Sequence, residues 1–150
     1  MIQDALLAYL HFIAIFVLFA FLTAEIMLLR GEVDARVAML LARCDAWYGG
    51  AAVAVLITGL LRIFAGAKGA AFYASNPVFW VKTGLFVVVA LLSIKPTLAL
   101  LRWARAARAD AGFRPAPEDQ RALRRIKMIE VHLAAFIPLA AVYMARGMGW

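Results

Sequence analysis

Residues 5–29 read ALLAYLHFIAIFVLFAFLTAEIMLL, an apolar run broken only by the imidazole of His11 and the carboxylate of Glu25. A helix needs about 20 residues to cross a hydrocarbon core about 30 Å thick, and Ala5–Leu29 meets that length. Three more stretches do the same: Ala46–Phe64, Phe79–Leu98 and Ile126–Ala145. Four spans use nearly all of the 150 residues, so a single transmembrane domain over 1–150 is expected. Short connections make neighbouring spans antiparallel, and the fold class expected is all-α, a polytopic antiparallel four-helix bundle.

Composition agrees with a membrane chain. The sequence is 66% hydrophobic and carries a formal charge of +7. The distribution of that charge bears on topology rather than on nucleic acid. Arg30, Arg36 and Arg43 lie between the first two spans. Lys95, Arg102, Arg105, Arg108, Arg114, Arg121, Arg124, Arg125 and Lys127 lie around the third connection. The other side holds only Arg62, Lys68, Lys82 and Arg146. The positive-inside rule then predicts both termini outside and both basic connections cytoplasmic, in a bacterial inner membrane. The arginines are expected to meet anionic lipid heads, and nucleic-acid binding is excluded as the reading of the charge. The N-terminus has no basic region before its apolar run, which predicts an uncleaved first helix. Cys44 is the only cysteine, so neither an internal disulfide nor a cysteine-rich metal cluster is expected.

The connections have structure of their own. Val33, Val37, Leu40, Leu41 and Cys44 recur at helical spacing, which predicts a cytoplasmic amphipathic helix over about residues 34–45, capped by Asp34 and running into the second span. Gly50, Ala54 and Thr58 form a small-residue stripe suited to close helix approach, and Arg62 extends it by a turn. Gly66, Gly69 and Asn76-Pro77 break the second connection, where Phe72 and Tyr73 suit an interface. The basic 100–110 segment is expected to be helical, with Pro96 as a bend. Pro117, Glu118 and Asp119 suit the first turn of the last helix. Gly147 and Gly149 end it.

Ionisable residues inside spans are costly, and they mark the interior of a bundle as the place to seek function. His11 lies about 10 Å in from the outer side at 1.5 Å per residue. Lys82 enters the third span from that side and Arg62 leaves the second there, so the three are expected to converge. Imidazole is a metal ligand suited to haem iron, and cations neutralise haem propionates. His11 is thus the candidate metal ligand, and Lys82 and Arg62 the candidate cofactor-binding cations. Ile15, Leu18 and Leu22 continue the His11 face as an apolar slot. Toward the other side, Glu25 and His132 are candidates for a proton path or second site, and Glu130 is expected to pair with Lys127 at i, i+3. A histidine merely bonded to a neighbouring backbone, and a lysine snorkelling beside Trp80, are the structural alternatives. No HExxH, CxxC or phosphate loop is present.

Two resemblances extend this reading. Leu10-His11-Phe12-Ile13-Ala14 and Leu28-Leu29-Arg30 resemble the first helix of HemJ-type protoporphyrinogen oxidases, and Trp80-Val81-Lys82-Thr83-Gly84-Leu85 resembles their lysine-bearing segment. That resemblance implies four spans, b-type haem, and functional roles for His11 and Lys82. The chain is similar throughout to a bacterial membrane family defined by a domain of unknown function, notably in Ile57-Thr58-Gly59 and Met144-Ala145-Arg146-Gly147. The functional expectation is a haem b redox protein of the membrane, active in electron transfer or porphyrinogen oxidation. Its partners would be the lipid bilayer and a membrane redox carrier or tetrapyrrole. The alternative is an accessory subunit of a homo-oligomer or larger membrane complex, with substrate export as a third option.

Overall fold

The computed structural model describes residues 2–64 and 69–147, the Phe72 side chain apart. Gly66, Lys68 and Gly149 lie outside the described residues. Among the described residues all regular structure is helical: α1 Ile2–Leu28, α2 Ala35–Phe64, α3 Gly69–Ala74, α4 Pro77–Ala109 and α5 Pro117–Ala145. Helices α1, α2, α4 and α5 are each long and apolar enough to cross a membrane. The chain is an all-α membrane protein. The amphipathic segment and the second span are one helix, because nothing between Ala35 and Phe64 interrupts the backbone ladder. At about 1.5 Å per residue, α4 and α2 outrun the hydrocarbon core, so their basic ends project beyond it.

Local chemistry sets the helix ends. Asp34 accepts a hydrogen bond from the Val37 amide at 2.8 Å and caps α2. Asn76 caps α4 through its side chain, at 2.9 Å from the Val78 amide, and Pro77 occupies the first turn where no amide is missed. Helix α5 also starts on a proline, followed by Glu118 and Asp119. Gln120 reaches back from α5 and donates to the Leu29 and Gly31 carbonyls at 3.1 and 2.7 Å. It thereby satisfies acceptors that α1 leaves open at its C-terminal end. The helical assignment runs through Pro96 and Pro138.

The four long helices form a square. Helix α1 packs beside α2 and α5, and α4 packs beside the same two, so α1 faces α4 and α2 faces α5 across the diagonals. Apart from Tyr73 and Asn76 beside α3, the buried residues of the bundle lie in one half of it. Buried residues run from Ala14 to Ile26 on α1, Ala35 to Ala51 on α2, Val89 to Ala107 on α4 and Leu123 to Ala134 on α5. That half carries the basic connections. There Leu29, Val33, Leu41, Leu100, Trp103 and Leu123 form one cluster, while Leu18, Leu22, Ile26, Tyr48 and Ala51 form another. In the other half the inward stripes, such as Leu7, His11 and Ile15 or Thr58 and Arg62, are only half-buried.

Two expectations need correcting. The small-residue stripe does not start at Gly50, which is exposed with open space beside it; the close approach occurs at Gly59, where an added Cβ would sit 3.4 Å from His11 Cε1. Leu18 and Leu22 do not line a slot. They fill the core, at 8% and 0% exposure, because Tyr48 and Ala51 of α2 occupy the space beside them.

Candidate functional site

Helical spacing carries polar groups onto the inward stripe of α1 at both ends. His11, Ile15, Leu18, Leu22 and Glu25 follow one another at i+3 or i+4, so His11 and Glu25 share a face about 21 Å apart. Each builds a different constellation.

At the open end, His11 Nδ1 lies 2.8 Å from Thr58 Oγ1. The threonine hydroxyl has one proton, and it donates this to the Ala54 carbonyl at 2.6 Å, with the Val55 carbonyl at 3.2 Å. The hydroxyl can then only accept from the imidazole, so Nδ1 carries the ring proton. Nε2 is left with its lone pair. Gly59 lets the Cε1 corner of the ring approach α2 without meeting a side chain. Arg62, one turn further along α2, and Lys82 on α4 both act electrostatically on this imidazole. That influence puts both cations in the same half of the bundle as His11. Neither cation has a carboxylate within salt-bridge distance among the described residues; Lys82 Nζ instead sits 5.6 Å from the Phe79 ring centroid. An imidazole with a free nitrogen thus stands beside two uncompensated positive charges, at the end of the bundle where packing is loosest.

At the packed end, Lys127 reaches inward from α5. Its Nζ lies 2.8 Å from Glu25 Oε2, 3.2 Å from Asp45 Oδ1 and 3.5 Å from Glu130 Oε2. The Tyr48 ring covers it from α2, with the centroid 4.6 Å from Nζ. Lys127, Glu25 and Glu130 are fully buried and Asp45 is 5% exposed. Lys127 also bridges the α2–α5 diagonal, which the backbones are too distant to cross. Its aligned hydrogen bond goes to Asp45; Glu25 Oε2 and Glu130 Oε2 face the same ammonium, and the Oε1 atoms of both glutamates are buried without an aligned partner. The Lys127–Glu130 pairing agrees with the i, i+3 expectation. Counting Lys127 with the surface cations of the third connection does not: it is one of the most deeply buried residues of the fold.

His132 joins neither group. Its side chain is exposed on the outside of α5, and its Nδ1 lies 2.6 Å from the Met128 carbonyl one turn back. Glu130, two residues away, points inward, since a two-residue step turns the helix by about 200°. Glu25 therefore finds its partners in Lys127 and Asp45 rather than in His132. The sequence carried a signal for this set that composition obscures. Asp45 falls on the inward stripe between Leu41 and Tyr48, and Lys127 falls on it between Leu123 and Ala134. Among the described residues, no group of three or more histidine, cysteine or carboxylate ligands is placed to hold a metal ion by itself.

The family model described as Predicted membrane protein (DUF2214) matches residues 3–149. No curated protein and no solved structure matches the chain.

Proposed function

Because the chain belongs to the DUF2214 family of predicted membrane proteins, it works in a lipid bilayer, and from its own residues we propose that it is a redox protein holding b-type haem at His11. The observation that carries this reading is the His11–Thr58 hydrogen bond at 2.8 Å, which fixes the proton on Nδ1 and leaves the Nε2 lone pair free to bind a metal. Histidine ligands ordinarily have their second nitrogen anchored in this way, which sets the tautomer and the ring orientation. The donor set fits the group in charge as well. Haem brings two propionates, and Arg62 and Lys82 are two cations without acidic partners beside the same imidazole.

Bound haem supplies one-electron chemistry at a potential set by its ligand and surroundings. The protein's share is positional. Thr58 holds the imidazole, Gly59 gives it room, and Arg62 and Lys82 attract carboxylates. The half-buried apolar residues Leu7 and Ile15 lie on the His11 face and would contact the macrocycle. The packed layer of Leu18, Leu22 and Tyr48 keeps such a ring in the open half. In this reading the basic connections face the cytoplasm of a bacterial inner membrane, both termini lie outside, and the partner is a membrane carrier or a tetrapyrrole. A reporter fused after residue 112 should then be cytoplasmic.

The test is the absorption spectrum of detergent-purified protein, as isolated and after haem loading. A Soret band that shifts on reduction is expected, with loss of that band in His11→Ala and retention in His132→Ala. A colourless wild type after loading would sink the reading and favour an accessory subunit of a larger membrane complex. Equal loss in both variants would replace the single-histidine site with one that uses both imidazoles.

A further inference from the structure

The acid-rich cluster at the packed end has no part in the haem reading, and its chemistry can be followed separately. It places three carboxyl groups, Glu25, Asp45 and Glu130, around a single ammonium, Lys127. If all four ionised, the site would hold two excess negative charges with exposures between 0% and 5%. Uncompensated charge in so dry a place is far more costly than the transfer of a proton or the capture of a cation. The other charged groups of the neighbourhood do not offset it. On α4 the side chains of Lys95, Arg102, Arg105 and Arg108 are exposed on the outer surface, and on α2 Arg43 is exposed as well. Cys44 and Tyr48 of α2 add titratable groups but no positive charge.

A second observation points to the occupant. The Oε1 atoms of Glu25 and Glu130 are buried without an aligned hydrogen bond, while each Oε2 has only the shared Lys127 ammonium, at 2.8 and 3.5 Å. Ionised carboxylates require several donors, whereas a protonated carboxyl needs fewer and becomes a donor itself. The Tyr48 phenol adjoins Glu130, and Asp45 already takes the aligned hydrogen bond of Lys127. The described residues offer no ring of three ligands for a metal ion here.

We propose that Glu25, Asp45, Glu130 and Lys127 form a proton-binding site, with protons carried on Glu25 and Glu130 at neutral pH while Asp45 and Lys127 form the ion pair. Loading forms one O–H bond on a carboxylate oxygen and breaks none in the protein, the proton coming from water. Two such protons make the cluster neutral. Leu18 and Leu22 place an apolar layer between this site and His11, and Leu29, Leu41, Leu100 and Leu123 place another between it and the basic connections. The protons are thus held in a closed site, independently of whether His11 binds haem.

Infrared spectroscopy of the full chain in lipid vesicles tests this directly. The wild type at neutral pH should show the C=O stretch of buried protonated carboxyls, shifted in D2O. Glu25→Gln and Glu130→Gln should each lower that band by about half, and the double variant should lose it. Absence of the band in the wild type would overturn the proposal without any variant having to fold. So would a band of unchanged size in both single variants. Loss of the band on adding Na⁺ or K⁺ at constant pH would also overturn it, since a metal cation would then be the occupant. Haem content is irrelevant to each of these outcomes, so failure here and failure at His11 are distinguishable.

Discussion

Lys127 Nζ lies 2.8 Å from Glu25 Oε2 with neither side chain exposed, and this contact joins the first and last spans across the interior of the bundle. Lys127→Met should strongly destabilise the fold, because it leaves the buried Asp45 carboxylate without its cation. A loss of about 3–5 kcal/mol is expected for breaking a buried pair from one side. Glu25→Gln should cost much less, since Asp45 remains to pair with the ammonium. Thermal unfolding in detergent, followed by helical circular dichroism, compares the two. Equal effects would show that Lys127 carries no special electrostatic weight.

Thr58 positions the imidazole, so its removal should weaken the site without removing the ligand. Thr58→Val keeps the shape and loses the acceptor for Nδ1. Outer-shell changes of this kind cost about 10- to 100-fold in affinity. Haem titration should show that loss in Thr58→Val and near-normal affinity in Thr58→Ser, with a changed midpoint potential in the valine variant. Unchanged affinity and potential in Thr58→Val would remove threonine from the site.

Lys82 distinguishes charge pairing from ligation. In Lys82→Met, visible bands and spin state should hardly change while haem affinity falls, because the ammonium acts on a carboxylate away from the metal. A conversion from low to high spin would mean that the amine had been an iron ligand, and the propionate role would have to be given up.

Gln120 ties the start of α5 to the end of α1 through two hydrogen bonds. Gln120→Ala should lower stability by about 1–2 kcal/mol, the net worth of two such bonds. The spectrum at His11 should not change, since the contact lies at the opposite end of α1. Unfolding midpoints and absorption spectra of the same preparation check both halves of the claim.

Gly59 should accept alanine. The new Cβ would meet His11 Cε1 at 3.4 Å, the edge of ordinary contact, and alanine favours the helix by about 1 kcal/mol. Leucine at 59 should displace the ring and abolish haem retention. A leucine variant that binds normally would place the cofactor away from the α1–α2 seam.

The apolar runs by themselves determined that the chain spans a membrane four times as helices, because a buried backbone in lipid must satisfy its own hydrogen bonds and length sets what can cross. Asp34 and Pro117 marked helix starts through chemistry that acts within one turn, whereas Asn76-Pro77, read as a break, proved to cap α4. The shared depth of His11, Arg62 and Lys82 was also legible, since depth along a helix follows from rise per residue. Only the tertiary structure decided which faces of those helices look inward. Lys127 and His132 are five residues apart on α5, yet one lies in the core and the other faces outward. Their residue types suggest the reverse, a snorkelling lysine and an inward histidine. Rotation about each helix axis is set by packing against neighbours, and that depends on side chains far apart in the sequence. The same dependence put Leu18 and Leu22 into the core, and brought Asp45 from the end of an amphipathic segment to the ammonium of the fourth span.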